Sequence, residues 1–139
     1  MKIHLASDHA GWKLKNKIKK YLEKKHDVID YTKKLDKKDD YPDYAKKLAK
    51  TIVKTKGRGI LICGSGIGMS MAANRIKGAR ATLCRTIKET KYSRKHNNSN
   101  ILCLGQKFTI DNPEKIVDTW IKEKFNEGRH QKRLKKLDK

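Results

Sequence analysis

The sequence predicts an α/β protein: a three-layer α/β/α arrangement around a five-stranded, parallel, Rossmann-like sheet. Three observations carry this. Short apolar runs alternate with amphipathic stretches five times along the chain. The apolar runs do not alternate with polar residues, as expected of strands covered by helices on both faces. The length, 139 residues, suits one domain (residues 1–139) with one core, and there is no internal repeat, linker or composition break.

The elements follow in order. Ile3 to Ala6 is a short strand, and Lys13 to Lys25 carries Leu14, Ile18, Tyr21 and Leu22 at helical spacing with lysines opposite. Val28 to Tyr31 is a second strand, followed by a polar loop from Thr32 to Asp40. Pro42 suits a first helical turn, and Tyr44 to Thr55 continues the helix. Gly57 and Gly59 flank the turn into the strand Ile60-Leu61-Ile62-Cys63. Ile67 to Arg75 reads as a helix, Ala79 to Cys84 as a strand, Thr86 to Lys95 as a helix and Ile101 to Leu104 as the fifth strand. Pro113 opens a helix with Ile116, Val117, Trp120, Ile121 and Phe125 on one side, ending near Gly128. A basic tail from about 129 is expected to be helical.

Composition narrows the class. There are 36 Lys+Arg against 15 Asp+Glu, a net charge of +21. Most cations are lysines dispersed from Lys2 to Lys139, and only the run from Arg129 to Lys136 is dense. A nucleic-acid binder concentrates charge and adds arginines or stacking aromatics, so no specific nucleic-acid partner is expected. Weak, salt-sensitive adsorption to polyanions is expected in any case. No apolar run reaches the roughly 18 residues of a membrane helix, and the N-terminus is too short and polar for a signal peptide. Three cysteines fit neither a disulfide framework nor a zinc knuckle. A soluble, cytoplasmic, metal-free protein is the resulting expectation.

In open α/β sheets, ligands bind beyond the carboxyl ends of the strands where the winding direction reverses. For a strand order 2-1-3-4-5, that point lies between strands 1 and 3. Ser7-Asp8-His9-Ala10-Gly11 follows strand 1, and Cys63-Gly64-Ser65-Gly66-Ile67-Gly68 follows strand 3. The two most chemically loaded segments therefore meet. The glycines do not make a dinucleotide fingerprint, because they follow the third strand and Cys84-Arg85 stands near the next strand end. Met69-Ser70 fails a Walker A loop, and Met69 also stands where a cysteine phosphatase needs Arg. What remains is a nest of backbone N–H groups suited to an anion, or simply a tight strand-to-helix turn. Cys63 sits where a helix N-terminus favours thiolate, whereas Cys84 and Cys103 read as buried strand cysteines. Ser7 or Asp8 can cap a helix, which leaves His9 unexplained. His96 to Asn100 alone reads as a polar turn. Arg129 and Arg133 share a helical face, as either a phosphate clamp or a solvated tail.

Together, Ser7-Asp8-His9-Ala10-Gly11, Asp40-Tyr41-Pro42, Cys63 to Ser70, His96-Asn97 and Gly128-Arg129-His130-Gln131-x-Arg133 resemble type B ribose-5-phosphate isomerase. The wider family includes the galactose-6-phosphate isomerase subunits. The resemblance runs in order from Lys2 to about Leu134. It implies a cofactor-free aldose–ketose isomerase acting on ribose 5-phosphate and ribulose 5-phosphate. Cys63 would be the base moving the proton between C1 and C2, and the amides of Gly64, Gly66, Ile67 and Gly68 would stabilise the enediolate. Ser65 replaces the Thr of many members and would relay a proton between O1 and O2. Asp8 and His9 would contact the sugar, His96 or His130 would open the ring with Asn97 alongside, and Arg129 and Arg133 would hold the phosphate. Lys107 stands where many relatives have Arg, keeping the charge but losing the bidentate fork. Retention of Cys63 separates the chain from branches that use another base.

The resemblance also implies a homodimer or tetramer with shared sites, and geometry agrees. Cys63 ends a strand and His96 precedes one, so in a parallel sheet they lie at opposite edges, ~17–20 Å apart. If both serve one site, His96 comes from a neighbouring chain. The same reaction on galactose or allose 6-phosphate is the alternative enzyme reading. A basic nucleic-acid module would not need Cys63. Phosphocysteine carriers of sugar uptake place the cysteine after the first strand, not the third.

Overall fold

The structure, a computed structural model, describes residues 1–139. Five parallel strands, β1 (Lys2–Ser7), β2 (Asp27–Asp30), β3 (Arg58–Cys63), β4 (Ala81–Leu83) and β5 (Ile101–Gly105), form one sheet. Six helices accompany them: α1 (Trp12–Leu22), α2 (Tyr41–Thr55), α3 (Ile67–Ala73), α4 (Ile87–Lys95), α5 (Pro113–Lys122) and α6 (Arg129–Leu137). No helix is long and apolar enough to cross a membrane.

The three layers follow from the strand pleat. Alternate residues of one strand serve opposite faces. Ala6, Leu61, Ile101 and Cys103 pack under α2 and α3. Leu5, Ile60, Ile62 and Leu102 pack under α1 and α5. Both faces are dry, which is why these strands read as unbroken apolar runs. Pro42 in the first turn of α2 and the Thr86–Glu89 capping box of α4 set two helix starts.

The strand order is β2-β1-β3-β5-β4, so the expected 2-1-3-4-5 order is corrected at its far end. β5 is buried along its whole length, whereas β4 has three residues and two of them are only half-buried. The longer apolar strand takes the interior and the short one the edge. β1 and β3 remain neighbours, in register from Ile3↔Arg58 to Ser7↔Ile62. The winding still reverses between them, and the expected crevice survives the exchange.

Two further expectations change. Strand β4 is shorter than Ala79 to Cys84. Helix α5 stops at Lys122, because Glu123 is extended and its carbonyl accepts from the buried Arg94 side chain. Phe125 therefore lies beyond the helix whose apolar face it was expected to extend. The basic tail is a docked helix: α6 buries His130 and Leu134 and ties its end to the body through an Arg80–Asp138 pair at 3.3 Å.

A polar network fixes the crevice wall. Lys15 Nζ, fully buried, donates to Asp30 at 2.8 Å and to the Thr32 carbonyl at 2.6 Å. The Thr32 hydroxyl accepts from the Ser7 N–H and donates to the Ser7 carbonyl. Removing one partner of such a buried pair costs about 3–5 kcal/mol. The network pins the loop from Thr32 to Asp40 against the end of β1.

Candidate active site

The ends of β1 and β3 are held together by a glycine. A Cβ on Gly11 would lie 2.4 Å from the Ile62 carbonyl oxygen, so only glycine lets the segment after β1 press against the end of β3. Asp8 caps the 3-10 turn His9–Gly11 by accepting from the Gly11 N–H at 3.1 Å. The capping role read from the sequence is therefore present. Asp8 is also 6 % exposed and faces the crevice. Burial, partly offset by the Gly11 N–H, raises its carboxyl above the ordinary value.

The loop after β3 supplies the other wall. Gly66 adopts φ 80°, the left-handed conformation that starts α3 without strain. A Cβ on Gly105 would sit 2.3 Å from the Ser65 carbonyl oxygen, so β5 also needs glycine to let the loop close down. Cys63, 5 % exposed, forms the floor. Asp8, Tyr41, Cys63, Gly64, Ser65 and Gly68, with Ile67 and Met71, line a cavity of about 480 Å³. The two segments singled out after strands 1 and 3 thus meet.

Not every amide in the expected nest is open. The Gly66 N–H donates to Cys63 Sγ at 3.1 Å, and the Ile67 N–H donates to Ser65 Oγ at 3.2 Å. The first contact places a backbone donor against the sulfur. The second leaves the Ser65 hydroxyl hydrogen free to donate. The Gly64, Ser65 and Gly68 amides of the loop have no acceptor in the chain. Lys107, exposed, is anchored next to this wall by its own N–H, which donates to the Gly64 carbonyl.

His9 does not line the cavity. Its Nδ1 meets Asp39 at 2.7 Å, and its backbone N–H donates to the same carboxylate oxygen. That hydrogen bond raises the His9 pKa above the ordinary 6.5. The pair's contribution to stability is present below pH 6.5 and is lost as pH rises through the elevated value. Changing Asp39 to Asn is expected to bring the His9 titration back toward its ordinary midpoint, read by imidazole proton shifts across pH; an unmoved midpoint contradicts the pairing. Asp39 also adjoins Tyr44, whose hydroxyl is pushed up to about 12 by burial and by that carboxylate.

Sequence reasoning missed Asp39, which lies 30 residues from His9 in a loop with no periodic signal. Tyr41 has no sequence signal of its own beyond the Asp40-Tyr41-Pro42 motif. The structure shows why that residue matters: a Cβ on Gly68 would strike the Tyr41 ring at 2.5 Å, so the ring rests on the glycine loop. Met71 follows Ile67 by one helical turn and extends the same wall.

The remaining candidates gather elsewhere. His96 ends α4, and its ring stacks on His130 of α6 with centroids 4.2 Å apart and planes 13° apart. Burial, followed by His96 and the flanking arginines, pushes His130 below the ordinary histidine value. Arg129 and Arg133 stand exposed on the same helix, and Asn97 lines a separate cleft of about 530 Å³. Register pairs Gly59 with Ile101 and Cys63 with Gly105, so His96, which precedes β5, lies beyond the end of the sheet opposite Cys63. Four strand residues alone span about 13 Å. One subunit therefore holds two separate clusters of candidate residues.

Comparison with known proteins places this arrangement. A sequence model of the Ribose/Galactose Isomerase family matches residues 3–137. A probable ribose-5-phosphate isomerase B from Mycoplasma genitalium is 44% identical over 140 residues, covering 97% of this chain and 92% of its own. Ribose-5-phosphate isomerase B from Clostridium thermocellum superposes with a TM-score of 0.95 at 42% identity, covering 99% of this chain and 95% of that one. The Mycoplasma genitalium isomerase with bound ribulose 5-phosphate gives 0.93 at 42% identity, covering 99% and 93%. The match runs through both clusters and nearly the whole chain, and the protein belongs to the ribose/galactose isomerase family.

Proposed function

We propose that this chain interconverts ribose 5-phosphate and ribulose 5-phosphate, using Cys63 as the base. The observation that carries the reading is the cavity floored by Cys63 Sγ, with Asp8 on one side and the glycine loop on the other. The likeness to an isomerase holding ribulose 5-phosphate supports the choice of substrate. The Cys63 thiolate takes the proton from C2 of the open-chain aldose, leaving an enediolate. The Gly64 and Ser65 N–H groups stabilise the oxygen on which charge grows. The Ser65 hydroxyl moves a proton between O1 and O2, and the Cys63 thiol returns its proton to C1. Atoms balance, and no net oxidation occurs.

In this reading the second half-site belongs to another copy of the chain, as a homodimer or within a tetramer. His96 or His130 opens the furanose ring, Asn97 assists, and Arg129 and Arg133 grip the phosphate with Lys107 nearby. Asp8 orients sugar hydroxyls, and His9 contacts the sugar on turning from Asp39 toward the cavity. The setting is cytoplasmic, where three free thiols stay reduced.

The family description also covers galactose isomerases, so a hexose 6-phosphate is the second reading. A panel of ribose, galactose and allose phosphates, assayed with and without chelator, separates the two. The expected result is the highest kcat/KM for ribose 5-phosphate, unchanged by chelator. A higher value for a hexose phosphate overturns the substrate assignment.

A further inference from the structure

Away from the Cys63 pocket, three arginines from three parts of the chain converge. Arg58 opens β3, Arg80 precedes β4 and Arg94 lies in the last turn of α4. With Lys56, Asn98 and Asn100 they line a cavity of about 470 Å³. That volume lies within the range of small-molecule pockets.

Each guanidinium is held from one side. Arg58 Nη1 donates to the Trp120 carbonyl at 3.1 Å, and the group lies 5.1 Å from the indole centroid. Arg80 Nε donates to the Asn98 carbonyl at 3.0 Å, and Nη1 reaches the Gly78 carbonyl and Asp138. Arg94, 4 % exposed, donates through Nε to the Glu123 carbonyl and through Nη1 to Asn98 Oδ1 and the Ser99 carbonyl. In all three, Nη2 makes no hydrogen bond within the chain and is not among the buried unpaired atoms, so it stays reachable by solvent or ligand.

The charges are poorly compensated. Asp138 pairs with Arg80, while Arg58 and Arg94 pair with no carboxylate, and no acidic residue lines the cavity. Burial, with Arg58 and Arg80 close by, pushes the Arg94 guanidinium down to about 10. Binding backbone carbonyls explains the occupied donors. It does not explain three like charges gathered in a partly desolvated place, which raises the energy of the cluster unless an anion joins it.

We propose that this cavity is a second anion site, separate from the Cys63 pocket, for a small ligand carrying a phosphate or diphosphate group. Planar guanidinium forks match phosphate oxygens in pairs, and these three are already fixed by their inner hydrogen bonds. Lys56 adds a mobile fourth charge at the rim, which favours a ligand with two or more negative charges. Val53 offers the little apolar surface present, enough for a short organic portion.

The test is calorimetric titration of the full chain with inorganic diphosphate at low and moderate salt. Arg129→Ala/Arg133→Ala silences the phosphate clamp proposed for catalysis and is expected to leave this binding intact. Arg58→Met keeps an unbranched apolar stem against Trp120 and is expected to weaken binding about 10- to 100-fold, the worth of a charged hydrogen bond. Lys56→Gln, at an exposed position whose side chain makes no hydrogen bond or ion pair, is expected to weaken it less and guards against misfolding of the Arg58 variant. Raising salt is expected to weaken binding in every form. Diphosphate binding equal to wild type in both Arg58→Met and Lys56→Gln overturns the site. So does loss of all binding in the Arg129→Ala/Arg133→Ala form.

Discussion

Cys63→Ala is expected to lower kcat for ribose 5-phosphate by about 10²–10⁴-fold, the usual contribution of a positioned general base. Ribulose 5-phosphate should still bind, because the phosphate contacts and the Gly64 and Ser65 amides do not involve the sulfur. The loss therefore falls on turnover rather than on affinity. The structure makes this a chemical rather than a packing prediction. Sγ is small, lies at the cavity floor and accepts a hydrogen bond from the Gly66 N–H. Its removal deletes one local contact and leaves Gly66 at the start of α3, where φ 80° already suits glycine. Steady-state rates alongside equilibrium binding of ribulose 5-phosphate check both halves. Undiminished turnover in Cys63→Ala overturns the assignment of the base.

Arg129→Ala/Arg133→Ala is expected to lower kcat/KM by about 10²–10⁴-fold, since each lost charge-assisted hydrogen bond to phosphate is worth about 1.5–3 kcal/mol. Here the fold bears on interpretation. Both side chains are exposed and neither makes a hydrogen bond or ion pair in the chain. The helix is held by buried His130 and Leu134 on its other face, so it should stay docked without them. A loss from this variant would then report on substrate and not on stability. Distance is the issue: these arginines belong to the cluster beyond the opposite end of the sheet from Cys63. One chain cannot bring them and Cys63 to one sugar phosphate without rearrangement, which is why the proposed centre draws on two chains.

Much of this was legible in the sequence, for identifiable reasons. Doubly buried strands leave unbroken apolar runs, so Ile60-Leu61-Ile62-Cys63 announced a covered sheet. The loops after strands 1 and 3, set at the reversal of winding, locate the crevice, while the close approaches at Gly11 and Gly105 show only in the fold. The β4–β5 exchange was not legible, because strand order depends on relative burial and the two runs look alike until their lengths are known. The end of α5 depends on Arg94, which reaches the Glu123 carbonyl from 29 residues away. Asp39 and the arginine cavity were hidden for the same reason: each is assembled from distant segments with no spacing signature. The histidines were found individually, but their stacking joins two helices far apart in sequence.

Mixing subunits tests the central claim, that one catalytic centre combines the Cys63 pocket of one copy with the Arg129 and Arg133 clamp of another. Cys63→Ala and Arg129→Ala/Arg133→Ala chains, each nearly inactive alone, are unfolded together and refolded. Random pairing into symmetric dimers makes half of them mixed, and each mixed dimer holds one intact centre of two, so roughly a quarter of wild-type activity is predicted. Activity no greater than the average of the two separately refolded parents would contradict the account.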